Sequence, residues 1–131
     1  MLLAVLAVGV AFAPASVPPP PRTIASYCSP SGDVCYGIFR RSGHVSLEIT
    51  TAARYFRRYT LCVQRIRPAG GGAASAQRCG SFPVFGQRFG SYGSRIHYTK
   101  QYPVKSAGTY RVTWKAPAAL GPSLRFRLPL R

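Results

Sequence analysis

Apolar and polar residues alternate with a period of two along most of this chain, and each alternating run predicts a strand with one wet face. In "HVSLEIT", Val45, Leu47 and Ile49 point one way and His44, Ser46 and Glu48 the other. In "GTYRVTWK", Tyr110, Val112 and Trp114 point inward, with Arg111, Thr113 and Lys115 outward. In "SLRFRLPLR", Leu124, Phe126, Leu128 and Leu130 alternate with Arg125, Arg127 and Arg131. "YTLCVQRI" sends Tyr59, Leu61 and Val63 to one side and Cys62 to the other. "RIHYTKQYPV" aligns Ile96, Tyr98, Tyr102 and Val104 but puts Lys100 on the same face, which predicts a bulge or an edge strand.

Strands are expected near 23–28, 34–40, 44–51, 54–66, 79–86, 94–104, 108–115 and 123–130, mostly separated by turns containing Gly or Pro. No long stretch holds an apolar 3.6-residue period, so little helix is expected. Seven or eight short strands predict an all-β, antiparallel sandwich, immunoglobulin-like in outline, with an open barrel as the alternative. "AGGGAASA" within 69–76 reads as a flexible loop.

The front end breaks the pattern. Leu2 to Phe12 is an uncharged apolar run followed by "AFAPAS". It suits a signal-peptide core, cleaved after Ala13 or Ala15, and is too short to span a bilayer as a helix. The basic segment that usually precedes such a core is missing. Residues 1–15 are therefore expected to be a leader, Ser16–Arg22 ("SVPPPPR") a Pro-rich linker, and 23–131 the folded domain.

A leader makes disulfides chemically available. The four cysteines allow three pairings. Cys28 and Cys35 flank Ser-Pro-Ser-Gly-Asp, a turn in which Pro presets φ, Gly accepts positive φ and Asp33 is expected to bond nearby backbone. Cys62 and Cys79 flank the Gly- and Ala-rich loop. Local geometry therefore favours Cys28–Cys35 and Cys62–Cys79. Their spacings do not match zinc knuckles, and no metal or cofactor is expected.

Charge narrows the function. The net charge is +16, the only acids are Asp33 and Glu48, and no charged residue precedes Arg22. Such a domain repels itself and attracts polyanions. A two-carboxylate glycosidase is disfavoured, because Asp33 lies in a turn and leaves one carboxylate. His44, Ser46 and Glu48 share a strand face, but the serine stands in the middle, so a solvated outer face is the better reading than a catalytic triad. The best enzymatic alternative is a small secreted ribonuclease using Glu48, His44, His97 and nearby arginines. "GQRFGSYG" lacks the context of a phosphate loop and reads as a turn.

Two cationic groups are candidates for polyanion binding. Arg111, Lys115, Arg125 and Arg127 would form one patch if their strands are neighbours. Arg54, Arg57 and Arg58, interleaved with Tyr55, Phe56 and Tyr59, form the second, unless Phe56 and Tyr59 are core.

Taken in order, "YCSPSGDVC", "YTLCV", "RCGSFPV", "YGSRIHYTKQYPVKSAGTYRVTWK" and "LGPSLRFRL" resemble a group of small secreted proteins from high-GC Gram-positive bacteria. The resemblance implies secretion and a β fold, and it carries no site residues across. The expected function is non-catalytic association with a polyanion: wall polymer, acidic polysaccharide or nucleic acid. The alternative is an inhibitor or recognition module presenting the loop between Cys28 and Cys35.

Overall fold

The Ser-Pro-Ser-Gly-Asp turn reverses the chain as expected, with Gly32 at φ +75°. It joins β1 (Arg22–Cys28) to β2 (Val34–Arg41) in a computed structural model that describes residues 4–11 and 19–130. The cleavage points after Ala13 and Ala15, the linker's Ser16–Pro18 and the outward position of Arg131 lie outside the described residues. The hydroxyls of Ser29 and Ser31, rather than the Asp33 carboxylate, accept the turn's backbone N–H groups, from Val34 at 3.2 Å and from Asp33 at 3.3 Å. A second reversal uses two residues of positive φ, Ser42 at 47° and Gly43 at 77°, the signature of a type I′ hairpin. It leads into β3 (His44–Thr51).

The chain then crosses to a second sheet. Residues 54–57 form this crossing, so the strand expected from 54 begins at 58: β4 is Arg58–Pro68. The Gly- and Ala-rich loop is anchored at Ser75, whose N–H donates to the Arg65 carbonyl and whose carbonyl accepts from the Gln64 side chain, both at 2.9 Å. The strand expected over 79–86 is two strands in different sheets. β5 (Arg78–Pro83) pairs with β4, Val84 is buried in the crossing, and β6 (Phe85–Gly86) returns to the first sheet.

β7 (Tyr92–His97) follows, and here the Lys100 mismatch resolves. The strand ends at His97 and one helical turn, α1 (Tyr98–Gln101), takes over. Four-residue spacing brings Tyr98 and Tyr102 to the core with rings stacked at 5.6 Å, while Lys100 stays exposed. The expected bulge or edge strand is therefore a helical turn, and β7 lies between β3 and β6 rather than at an edge. β8 (Gly108–Lys115) and β9 (Leu124–Leu128) complete the chain.

Two antiparallel sheets result, ordered β1-β2-β3-β7-β6 and β5-β4-β8-β9. The disulfide-bonded all-β sandwich read from the sequence is present. Each disulfide joins directly paired residues of neighbouring strands, Cys28–Cys35 and Cys62–Cys79, and no cysteine is free. Between the sheets, Leu47, Ile49, Leu61 and Val112 meet an aromatic cluster in which Tyr36 stacks on Trp114 at 4.4 Å and Tyr110 on Phe126 at 5.0 Å. The buried phenols are satisfied: Tyr36 donates to the Pro122 carbonyl at 2.6 Å, Tyr59 to Ser94 Oγ at 2.7 Å, and Tyr98 to the Val104 carbonyl. Among the described residues, no helix is long and apolar enough to cross a membrane.

Candidate functional site

Outward-facing positions of the second sheet can be followed strand by strand, because directly paired residues share a face. One row is Ser81, Thr60 and Lys115, and the next is Cys79, Cys62 and Thr113. Beyond these lie Gln64, Arg111 and Arg125, then Arg67, Thr109 and Arg127. β8 and β9 are hydrogen-bonded neighbours, so the four cations proposed from the sequence do form one patch. Arg111 stands directly opposite Arg125 and is steadied by Gln64 Oε1 at 2.8 Å.

The patch is larger than the sequence suggests. Arg58, at the start of β4, donates to Ser81 Oγ at 3.0 Å and to the Ser81 carbonyl at 2.9 Å, which holds it over the β5 side of the same sheet face. Arg67 joins the far end. Simple alternation would turn it inward with Leu61, Val63 and Arg65, but the register slips between Arg65 and Arg67 and sets Arg67 opposite Thr109. Nothing in "RIRP" marks that bulge. Arg58, Arg67, Arg111, Lys115, Arg125 and Arg127 thus share one sheet face. The chain has no Asp or Glu after Glu48, so every strand of this sheet is free of carboxylates. The large exposed apolar side chains, Tyr55, Phe85, Phe89 and Ile24 among them, all lie off this face.

The second candidate group is split. Tyr59 is buried and Phe56 packs against the core. The Arg54 guanidinium lies 5.5 Å from the Tyr92 ring centroid, beside the first sheet, whereas Arg57 is exposed in the crossing and Arg58 belongs to the second sheet.

On the opposite side of the molecule, the outer face of β3 is not a solvated surface. Ser46 is fully buried and the Glu48 side chain is only 14% exposed. Long neighbours cover them. Arg41 donates to both oxygens of Glu48, at 2.6 and 2.9 Å, and Arg95 approaches the same carboxylate at 3.4 Å. Ser46 stands between His44 and Glu48 on β3 and opposite His97 on β7. The His44 and His97 rings stack at 3.7 Å, and His97 Nδ1 lies 3.0 Å from Thr99 Oγ1. The ribonuclease residues therefore do converge. Their chemistry is nevertheless unfavourable for a base: burial pushes Glu48 up, but the hydrogen bond from Arg41 and the charge of Arg95 outweigh it and hold the carboxyl below its ordinary value.

This cluster makes stability pH-dependent. Burial, then interaction with His97, Lys100 and Arg41, holds His44 below its ordinary 6.5. The unfolded chain binds that proton more readily, so stability should fall as the pH drops below 6.5. Glu48 is depressed too, so its contribution is complete above 4.5 and is lost as the pH falls through its lower folded value. Denaturation midpoints followed from neutral pH downward should show both losses. His44→Asn should flatten the first and Glu48→Gln the second.

The loop between Cys28 and Cys35 borders a shallow hollow of about 190 Å³ whose walls include the disulfide, Phe39, Gly37 and Thr50. No group of three His, Cys, Asp or Glu side chains that could hold a metal ion occurs among the described residues. No known protein family, curated protein or solved structure matches the chain.

Proposed function

We propose that the chain is a secreted, non-catalytic module that binds an anionic polymer across the outer face of the β5-β4-β8-β9 sheet. The observation that carries this reading is a face of cations without acids: six cations share it, while Glu48 lies on β3 of the other sheet and Asp33 in the turn between β1 and β2. Placing Arg111 directly against Arg125 costs stability, and a bound anion would relieve that repulsion. The lack of exposed aromatics on the face favours a polymer read by charge, an acidic polysaccharide or wall polymer, over a nucleic acid held by base stacking. Export is supported by the uncharged apolar run Leu2–Phe12 and by two disulfides, which persist in oxidising compartments. The test is salt elution from immobilised heparin and from immobilised wall polymer. Retention should exceed that of a basic protein of equal net charge whose cations are evenly spread. Co-elution with that control would remove the reading.

A second reading, ribonuclease action at His44, His97 and Glu48, is favoured by the convergence of the two imidazoles. The engagement of Glu48 by two arginines weighs against it. Single-stranded RNA incubated with purified protein beside a His97→Ala control should stay intact in both lanes. Cleavage by the first alone would reverse the preference.

A further inference from the structure

Each sheet contains a β-bulge, and the two bulges deliver residues to one groove. In β1 the register slips between Thr23 and Ala25, leaving Ile24 as the extra residue, 37% exposed. In β4 the slip between Arg65 and Arg67 turns Arg67 outward. Bulges commonly re-aim a side chain at a functional surface. Here both Ile24 and Arg67 line a groove of about 560 Å³ at the edge strand β9, within the size range of small-molecule sites. β4 and β8 close in at its end: Gly108 sits at φ +153°, and a Cβ there would lie 2.4 Å from the Arg67 carbonyl oxygen.

The lining has two halves. Ile24, Leu128 and Leu130 offer apolar surface over the buried Phe126, and Arg67, Arg125 and Arg127 rim it with positive charge. With no carboxylate after Glu48 in the chain, none of β4, β8 or β9 supplies one to balance these arginines. A purely polar polyanion would leave the apolar half unused, and a purely apolar ligand would leave three guanidiniums unpaired. We infer that the groove binds the phosphate-headed alkyl chain of a lipid, with the phosphate on Arg67, Arg125 and Arg127 and the chain against Ile24, Leu128 and Leu130. Arginine's planar fork suits the phosphate oxygens. The inference rests on the polyanion reading for Arg125 and Arg127, which both sites share, and adds the apolar half.

Titration calorimetry with methyl phosphate, octyl phosphate and octanol, the alkyl probes kept below micelle formation, tests it. Burying about four methylenes should make octyl phosphate bind about 100-fold tighter than methyl phosphate. Octanol should bind far more weakly than octyl phosphate. Ile24→Ser, at an exposed bulge, should weaken octyl phosphate about tenfold, while heparin retention stays as in wild type and reports an intact fold. Equal affinities for octyl and methyl phosphate would overturn the proposal, as would octanol binding as tightly as octyl phosphate, or an Ile24→Ser variant with unchanged octyl phosphate affinity. The wild-type comparison decides without any variant. Failure of wild type to stay on heparin would instead sink the polyanion reading.

Discussion

A chain carrying Arg111→Glu and Arg125→Glu should leave immobilised heparin at far lower salt than wild type, and the salt dependence of binding should flatten. The two side chains are paired across β8 and β9 at the centre of the cationic face. Six ion contacts predict a slope of about −5.4 for log affinity against log salt, and losing two predicts about −3.6. The reversal also adds two repulsions, so affinity should drop more than the slope alone requires. Net charge falls by four, so the control must fall by four as well. Arg22→Glu with Arg88→Glu does this at exposed positions away from the face, on β1 and in the turn before β7. If the control lost as much retention as the central pair, bulk charge rather than the face would be responsible. Stability should move the other way: Arg125→Gln removes a like charge directly opposite Arg111 and should stabilise by about 0.2–1 kcal/mol. A variant that folds better and binds worse is what a binding face predicts. Unchanged stability would mean that the opposition costs nothing.

Replacing Cys62 and Cys79 together by alanine should destabilise the domain by about 3 kcal/mol, and the Cys28, Cys35 pair by about 2, on the chain-entropy account. The sequence separations, 17 and 7 residues, set that order. Position reinforces it. Cys62 is 2% exposed in β4, between β5 and β8, so its loss also removes packing from the middle of a sheet. Cys28–Cys35 closes a hairpin at the sheet edge, where the Ser29 and Ser31 hydroxyls already brace the turn. Urea midpoints at constant slope measure both losses. A Cys28, Cys35 variant less stable than the Cys62, Cys79 variant would contradict the ordering. The unreduced wild-type protein should also be four hydrogens lighter than the reduced form, given its two disulfides.

Reading the chain as alternating residues served well wherever a strand buries one face only. Tyr110, Val112 and Trp114 are buried and their outward neighbours are not, as the pattern required. It failed where the chain changes sheet or period. Val84 is as apolar as any strand residue, but it is buried in a crossing. Tyr98 and Tyr102 align equally well at period two or at a spacing of four, and only packing against Tyr110 and Phe126 selects the helical turn. The cationic site divides in the same way. Arg111, Lys115, Arg125 and Arg127 were visible because they alternate with core residues. Arg67 was not, because a one-residue slip reverses its face without altering composition.

By itself, then, the sequence determined what local chemistry determines: short strands with one wet side, two tight disulfide loops, and a charge balance with almost no acid. Those properties depend on near neighbours and on sums. Tertiary structure alone decided that β8 lies beside β9, that His44 stacks on His97 while Glu48 takes two arginines, and that Ile24 and Arg67 share a groove. Each of these joins residues far apart in the chain. Strand order and bulges set such meetings, and alternation along one strand carries no information about its neighbour.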